Sequence, residues 1–203
     1  MKNIMITGKA VQLYKMAHRA SALLAVHDIQ SIITGGFVRD VYFGLEPKDI
    51  DIFVSAGSEN YATTHSEVFN VLHTYMPDAD WHVFPFYDGD AHDDRIYSVY
   101  QSTKYCLDII LYRTDTTEEA VLACDDYINM ITIDSKTGGF KYLGNKNIIL
   151  PIQPVARESR KGRLEKMQLK RDAIMMFNKW YIRDETIVIT ASHIAKHTLD
   201  IGD

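Results

Sequence analysis

The sequence is poor in cysteine and has no long uninterrupted apolar run. Cys106 and Cys124 are the only cysteines, they have no CxxC partner, and no zinc spacing is present. That excludes a disulfide framework and a thiolate metal site, and it fits a reducing compartment. No apolar stretch approaches the length of a membrane span, so no membrane partner is expected. The first twenty residues, MKNIMITGKAVQLYKMAHRA, lack the long apolar core and cleavage site of a signal peptide. The expected location is the cytoplasm (the host's, for a phage-encoded chain). Internal repeats and low-complexity segments are also missing.

What is present is an ordinary globular composition with an uneven charge. The chain has 203 residues and a net charge of −5. Between Val155 and Arg183 stand nine basic and three acidic residues, which leaves an acidic remainder of −11. A basic arm on an acidic body points to an anionic partner, although a solvated amphipathic helix reads the same way. Pro151 and Pro154 mark a boundary, so residues 1–150 read as one domain and 151–203 as a basic helical segment.

Apolar periodicity predicts a helix over 9–29. Ser31–Thr34 reads as a short strand ending at Gly35-Gly36, and Phe37–Phe43 as a short helix stopped by Gly44. Ile50–Val54 reads as a strand with Ile50, Ile52 and Val54 on one face and Asp49, Asp51 and Phe53 on the other. Glu59–Tyr75 is expected to be helical, Trp81–Phe86, Ile96–Gln101 and Tyr105–Tyr112 to be strands. Thr117–Ile131 reads mainly as helix. Thr132–Asp134 and Phe140–Leu143 flank SKTGG as a hairpin. Arg157–Tyr181 reads as one long helix, with Leu164, Met167, Ile174, Phe177 and Tyr181 on a stripe. The fold class is α+β.

The chemistry concentrates in TGGFVRDVYFGLEPKDIDIFV, residues 34–54. Aspartates two apart in a strand point to one side with β-carbons about 6–7 Å apart. Such a pair repels unless a cation neutralises it. Oxygen-only ligation suits Mg²⁺, which takes one or two carboxylates plus phosphates. Asp108, inside the apolar run YCLDIILY, is a third carboxylate. If its strand lies beside Ile50–Val54, the three acids converge as two-metal phosphoryl transfer requires. Gly35 and Gly36, at a strand–helix junction, let the backbone approach an anion. Arg39 could reach phosphate or pair with a carboxylate. His82 and His92 match no ligand spacing, and His193 and His197 lack the glutamate of a zinc helix. Tyr97, Tyr100, Tyr105 and Tyr112 read as packing rather than base-stacking residues.

The run Gly35, Gly36, Val38, Arg39, Asp40, Gly44, Pro47, Asp49, Asp51 resembles the signature of class II tRNA nucleotidyltransferases and bacterial poly(A) polymerases. These belong to the polymerase-β-like nucleotidyltransferase superfamily. YCLDIILYR is similar to that family's third-acid strand, and DDYINMITID to its D-F-T-I-N-A-L segment. The resemblance covers about residues 30–145. It implies a polymerase-β-like head, with Asp49, Asp51 and Asp108 as catalytic, metal-binding residues of a two-Mg²⁺ site, Asp108 being either a ligand or the base for the attacking hydroxyl. It implies that Gly35, Gly36, Arg39, Arg113, Asp125 and Asn129 bind or support an NTP, ATP or CTP. Arg160, Arg163, Lys170 and Arg171 are candidate RNA or phosphate contacts. The implied reaction transfers NMP to a hydroxyl, with a tRNA-like RNA 3′ end as first choice. A protein or small-molecule hydroxyl, and a non-catalytic binding module, are the alternatives.

The sequence departs from the family in three ways. Ala123 and Cys124 stand where the family has two arginines. Its EDxxR motif is not intact, RLEKMQLKR (Arg163–Arg171) being the nearest stretch. The chain ends at Asp203, short of the family's tRNA-holding helical domains. This implies a minimal head, which could dimerise to complete its site.

Overall fold

The computed structural model describes residues 7–57, 60–85, 95–124, 126–134, 138–144 and 162–177. The 150/151 boundary, the acidic loop 88–94 and the last twenty residues lie outside them, as do His92, His193 and His197. No helix among the described residues is long and apolar enough to cross a membrane.

The chain begins with α1 (Gly8–Val26), capped by Thr7, whose hydroxyl accepts from the Ala10 N–H at 3.2 Å. The helix stops three residues earlier than its apolar pattern predicts. Asp28 takes a left-handed φ of 58°, a conformation that aspartate tolerates better than most residues. Next come β1 (Ser31–Thr34), α2 (Gly35–Tyr42) and β2 (Ile50–Ser55). Gly44, at φ 74°, closes α2 through bonds from Gly44 N–H to the Val41 carbonyl and from Leu45 N–H to the Asp40 carbonyl. Asn60 caps α3 (Tyr61–Tyr75) through its Oδ1.

Three strands follow: β3 (Trp81–Pro85), β4 (Ile96–Ser102) and β5 (Leu107–Tyr112). The last starts two residues later than expected, because residues 103–106 turn the chain and Cys106 adopts φ 48°. The long helix expected over 117–131 is instead α4 (Thr117–Leu122). The Ala123 and Cys124 amides fold back onto the Glu119 and Val121 carbonyls and end it. Asp126 then accepts from the Ile128 N–H, starting a 3₁₀ turn at Tyr127–Asn129, and Ile131 already belongs to β6 (Ile131–Ile133). A helical apolar period was thus shared between a short helix, a turn and a strand. β7 (Phe140–Tyr142) pairs antiparallel with β6, as the hairpin reading requires. Of the long C-terminal helix, α5 (Arg163–Phe177) is described.

The seven strands form one mixed sheet in the order β3-β4-β5-β2-β1-β6-β7. β2 and β5 are parallel, and the remaining neighbours are antiparallel. The fold is therefore α+β, a mixed sheet flanked by helices. Ile50, Ile52, Val54, Leu107, Ile109 and Leu111 are buried in the main core with residues of α1, α2 and α3. The opposite face carries Phe53 and Tyr112, packed with Ala120 and Val121 of α4. This second cluster covers only one end of the face and leaves the other end to polar residues. A third cluster seats α5: Met167 and Ile174 are buried with Ile128 against Phe43 and Leu45.

Candidate active site

Strand register puts four polar side chains in a row. Thr34 on β1 pairs with Asp51 on β2, Asp51 with Asp108 on β5, and Asp108 with Gln101 on β4. Residues paired in register share a face, and neighbouring strands lie about 4.8 Å apart. The convergence that the sequence made conditional on strand order is therefore met for Asp51 and Asp108. Asp49 is exposed and lies just before β2, which starts at Ile50 as expected.

Each acid has a defined environment. Asp51 is partly buried, and its Oδ2 accepts from the Gly36 N–H at 3.3 Å. Thr34 cannot cap α2 with its hydroxyl, which donates to the Ile131 carbonyl at 2.9 Å and lies 3.3 Å from the Asn129 carbonyl. A carboxylate from a neighbouring strand thus occupies the helix N-terminus, where an anion is favoured. The Asp51 carboxyl is still pushed up to about 7: burial is the largest cause, followed by the charges of Asp49 and Asp108, while Gly36 and Arg39 pull it down. Asp108 is half-buried and also raised, first by burial and then by Asp49, against the Gln101 side-chain amide that donates to its Oδ1 at 3.1 Å.

Gly35 is required here for two reasons. Its φ is 76°, and a β-carbon would stand 2.5 Å from Asp51 Oδ2. Gly36 is less constrained, since its β-carbon would meet only Arg39 Nη2, at 3.5 Å.

Arg39 is buried and points into the protein. Its Nε donates to Asp40 Oδ1 at 2.8 Å, and its Nη1 to Asn129 Oδ1 at 2.7 Å. Of the two options open at the sequence level, carboxylate pairing is the one observed. Asn129 is buried and turned to this guanidinium. Lys170 pairs with Asp40 Oδ2 at 3.0 Å, so this candidate phosphate contact is engaged within the protein. Arg163 opens α5 and Arg171 lies within it; Asp125 and Arg160 lie outside the described residues. Arg113 is not brought to the acids. It follows Asp108 by five residues, about 16 Å along an extended strand, and its guanidinium sits 5.5 Å from the Tyr97 ring centre. Tyr100 and Tyr112 are buried, as packing residues should be.

Sequence reasoning missed Gln101 and the roles of Asp40 and Lys170. Gln101 carries no local signal, since only the β4–β5 register brings it to Asp108. A cavity of about 560 Å³ opens between the loop before Asp49 and α5, with Leu45, Lys48, Lys166, Leu169 and Lys170 among its lining residues.

Among the described residues, no three acidic, histidine or cysteine side chains already form a closed metal-ligand set. A cation held by one or two carboxylates and completed by phosphate oxygens and water needs no closed set. The crowding that raises Asp51 and Asp108 fits such a cation, because a divalent charge removes the repulsion.

No family model matches the chain, and no curated protein matches it. Solved structures that resemble it include a Thermotoga maritima CCA-adding enzyme complexed with tRNA, at 15% identity and a TM-score of 0.46, covering 98% of this chain and 46% of that one. A Bacillus stearothermophilus CCA-adding enzyme in complex with CTP shows 16% identity and a TM-score of 0.42, covering 87% and 38%. A CCA-adding enzyme with CTP shows 18% identity and a TM-score of 0.40, covering 70% and 28%. The chain spans less than half the length of these structures.

Proposed function

We propose that the protein is a Mg²⁺-dependent nucleotidyltransferase that transfers NMP from an NTP, ATP or CTP, to a hydroxyl at an RNA 3′ end. The observation that carries this reading is the register of Asp51 with Asp108 beside the amide of Gly36. Nothing in the packing of the sheet calls for these acids on one face, and their crowding costs free energy.

Asp49 and Asp51 would hold Mg²⁺, with Asp108 as either a third ligand or the base. When bound, the cation would neutralise charge on the triphosphate and on the departing pyrophosphate. The chain's own residues do the rest. The amides of the first turn of α2 other than that of Gly36, which donates to Asp51, would bind phosphate oxygens. Arg39, held by Asp40 and Asn129, braces that turn. Gln101 fixes one oxygen of Asp108, and the other can take the proton of the attacking hydroxyl. The bond from the acceptor's hydroxyl oxygen to the α-phosphorus forms as the bond from that phosphorus to the bridging oxygen of the β-phosphate breaks in line, and pyrophosphate leaves.

The test is incubation with each labelled NTP, Mg²⁺ and total RNA, beside an Asp49→Ala/Asp51→Ala control. Label in RNA, absent from the control, supports the reading. Label in protein or in a small molecule keeps the reaction but changes the acceptor. No label, together with no Mg²⁺-dependent nucleotide binding, leaves a non-catalytic module.

A further inference from the structure

We infer that Lys170 is a positioning residue for this site, acting through Asp40 on Arg39 and so on the glycine turn that holds Asp51. The inference rests on the nucleotidyl-transfer reading.

Asp40 is a buried carboxylate with each oxygen committed to a different cation. Oδ1 accepts from Arg39 Nε at 2.8 Å, and Oδ2 pairs with Lys170 Nζ at 3.0 Å. The same guanidinium donates from Nη1 to Asn129 at 2.7 Å, and its Nη2 lies 3.5 Å from where a β-carbon on Gly36 would stand. Gly36 in turn donates to Asp51. Ion pairs and hydrogen bonds thus link the middle of α5, across 130 residues of sequence, to Asp40 and Arg39 of α2, and the helix itself leads from them to Gly36 and Asp51.

Anchoring α5 does not require this pair. Met167 and Ile174 already bury the helix against Ile128, Phe43 and Leu45. A buried ion pair is a weak source of net stability, because desolvation offsets the attraction. Its stronger effect is geometric. With Lys170 on one oxygen, Asp40 presents the other to Arg39 in a single orientation. Without Lys170, Arg39 alone must satisfy both oxygens, and a bidentate guanidinium would turn away from Asn129.

The experiment compares Lys170→Met, Lys170→Arg, Asp40→Asn and the double variant Lys170→Met/Asp40→Asn. If the inference holds, Lys170→Met and Asp40→Asn lower kcat about 10- to 100-fold, the range seen when an outer partner of a reacting site is removed. KM for the NTP should change less, Lys170→Arg should restore most of kcat, and the double variant should be no worse than the poorer single. Amide hydrogen exchange without nucleotide is the second readout. Lys170→Met should speed exchange over residues 36–40 while α5 stays protected. Unchanged exchange over 36–40, or a kcat within twofold of wild type, overturns the inference. Loss of protection throughout α5 overturns it as well, since Lys170 would then be only an anchor. If the wild type transfers no nucleotide, the functional reading fails, and the exchange data still decide the role of Lys170.

Discussion

Gly35 and Asp51 are packed so closely that a β-carbon on Gly35 would stand 2.5 Å from Asp51 Oδ2, 3.2 Å from Cγ and 3.3 Å from Cβ. The glycine that opens α2 and the acid on β2 therefore constrain each other. The turn can hold the carboxylate only because nothing is attached to the Gly35 α-carbon.

Gly35→Ala should be damaging in two separable ways. The left-handed φ of 76° costs about 1–2 kcal/mol for an L-residue. Displacing Asp51 should also weaken Mg²⁺ binding. Gly36→Ala, whose β-carbon meets only an arginine tip at 3.5 Å, should change stability by less than about 1 kcal/mol. Urea unfolding of both variants, with Mg²⁺ titration followed by calorimetry, checks the contrast. Equal effects of the two substitutions would remove the special role given to Gly35.

Asp51→Asn should separate stability from function. The side chain keeps its size and an oxygen for the Gly36 N–H, but loses a charge held near Asp49 and Asp108. In EDTA at pH 8 the variant should be more stable than wild type by up to about 4 kcal/mol, since each unit by which the carboxyl is raised costs about 1.4 kcal/mol when it is ionised. Transfer activity should drop by about a hundredfold or more, the loss expected when metal charge stabilisation goes. Thermal unfolding and labelled-NTP incorporation measure the two effects. A variant that is both less stable and fully active would contradict the electrostatic account.

Much of this site was legible because its signals are local. Alternation in IDIFV placed Asp51 opposite the buried Ile50, Ile52 and Val54, and the glycine pair marked the strand–helix junction. YCLDIILY announced a third acid in a strand. What could not be read were distances across the fold. The Asp51–Asp108 register depends on β5 returning parallel to β2 after α3, β3 and β4, which no spacing encodes. The Lys170–Asp40 pair joins residues 130 apart, and a basic helix looks the same whether its lysines face RNA or a buried aspartate. The long helix expected from Thr117 failed for a different reason. Apolar residues at helical intervals served a core that continued through a turn into β6.

His65 should make stability fall in acid. Its Nδ1 lies 3.0 Å from Ser98 Oγ and 2.5 Å from Tyr100 OH, against a buried part of β4. Burial lowers its pKa, so the unfolded chain takes up a proton before the folded one. A depressed histidine contributes stability that is fully present above its unfolded value, near 6.5, and is lost as pH falls through the folded value. The His65 contribution to the unfolding free energy should therefore decline between pH 7 and pH 5, against the opposite change from Asp51, whose carboxyl is raised to about 7. His65→Asn should flatten the part of that decline due to this residue. Identical pH profiles for wild type and variant would show that His65 is not its source.

Ile174→Ala should release α5 locally before it unfolds the protein. Ile174 is fully buried, together with Met167 and Ile128 in a cluster separate from the main core. Truncating a buried isoleucine costs about 2–5 kcal/mol, comparable to what so small a cluster can supply. None of the buried residues of the main core belongs to that cluster, and only the partly buried Phe43 packs against both. Hydrogen exchange should therefore rise across 163–177, while the amides of β2 and β5 remain protected. Phe43 and Leu45 bridge the cluster to the loop before Asp49, so NTP affinity should weaken even though no carboxylate has changed. If exchange rises equally in β2 and α5, the C-terminal helix unfolds together with the sheet and is not a separately docked element.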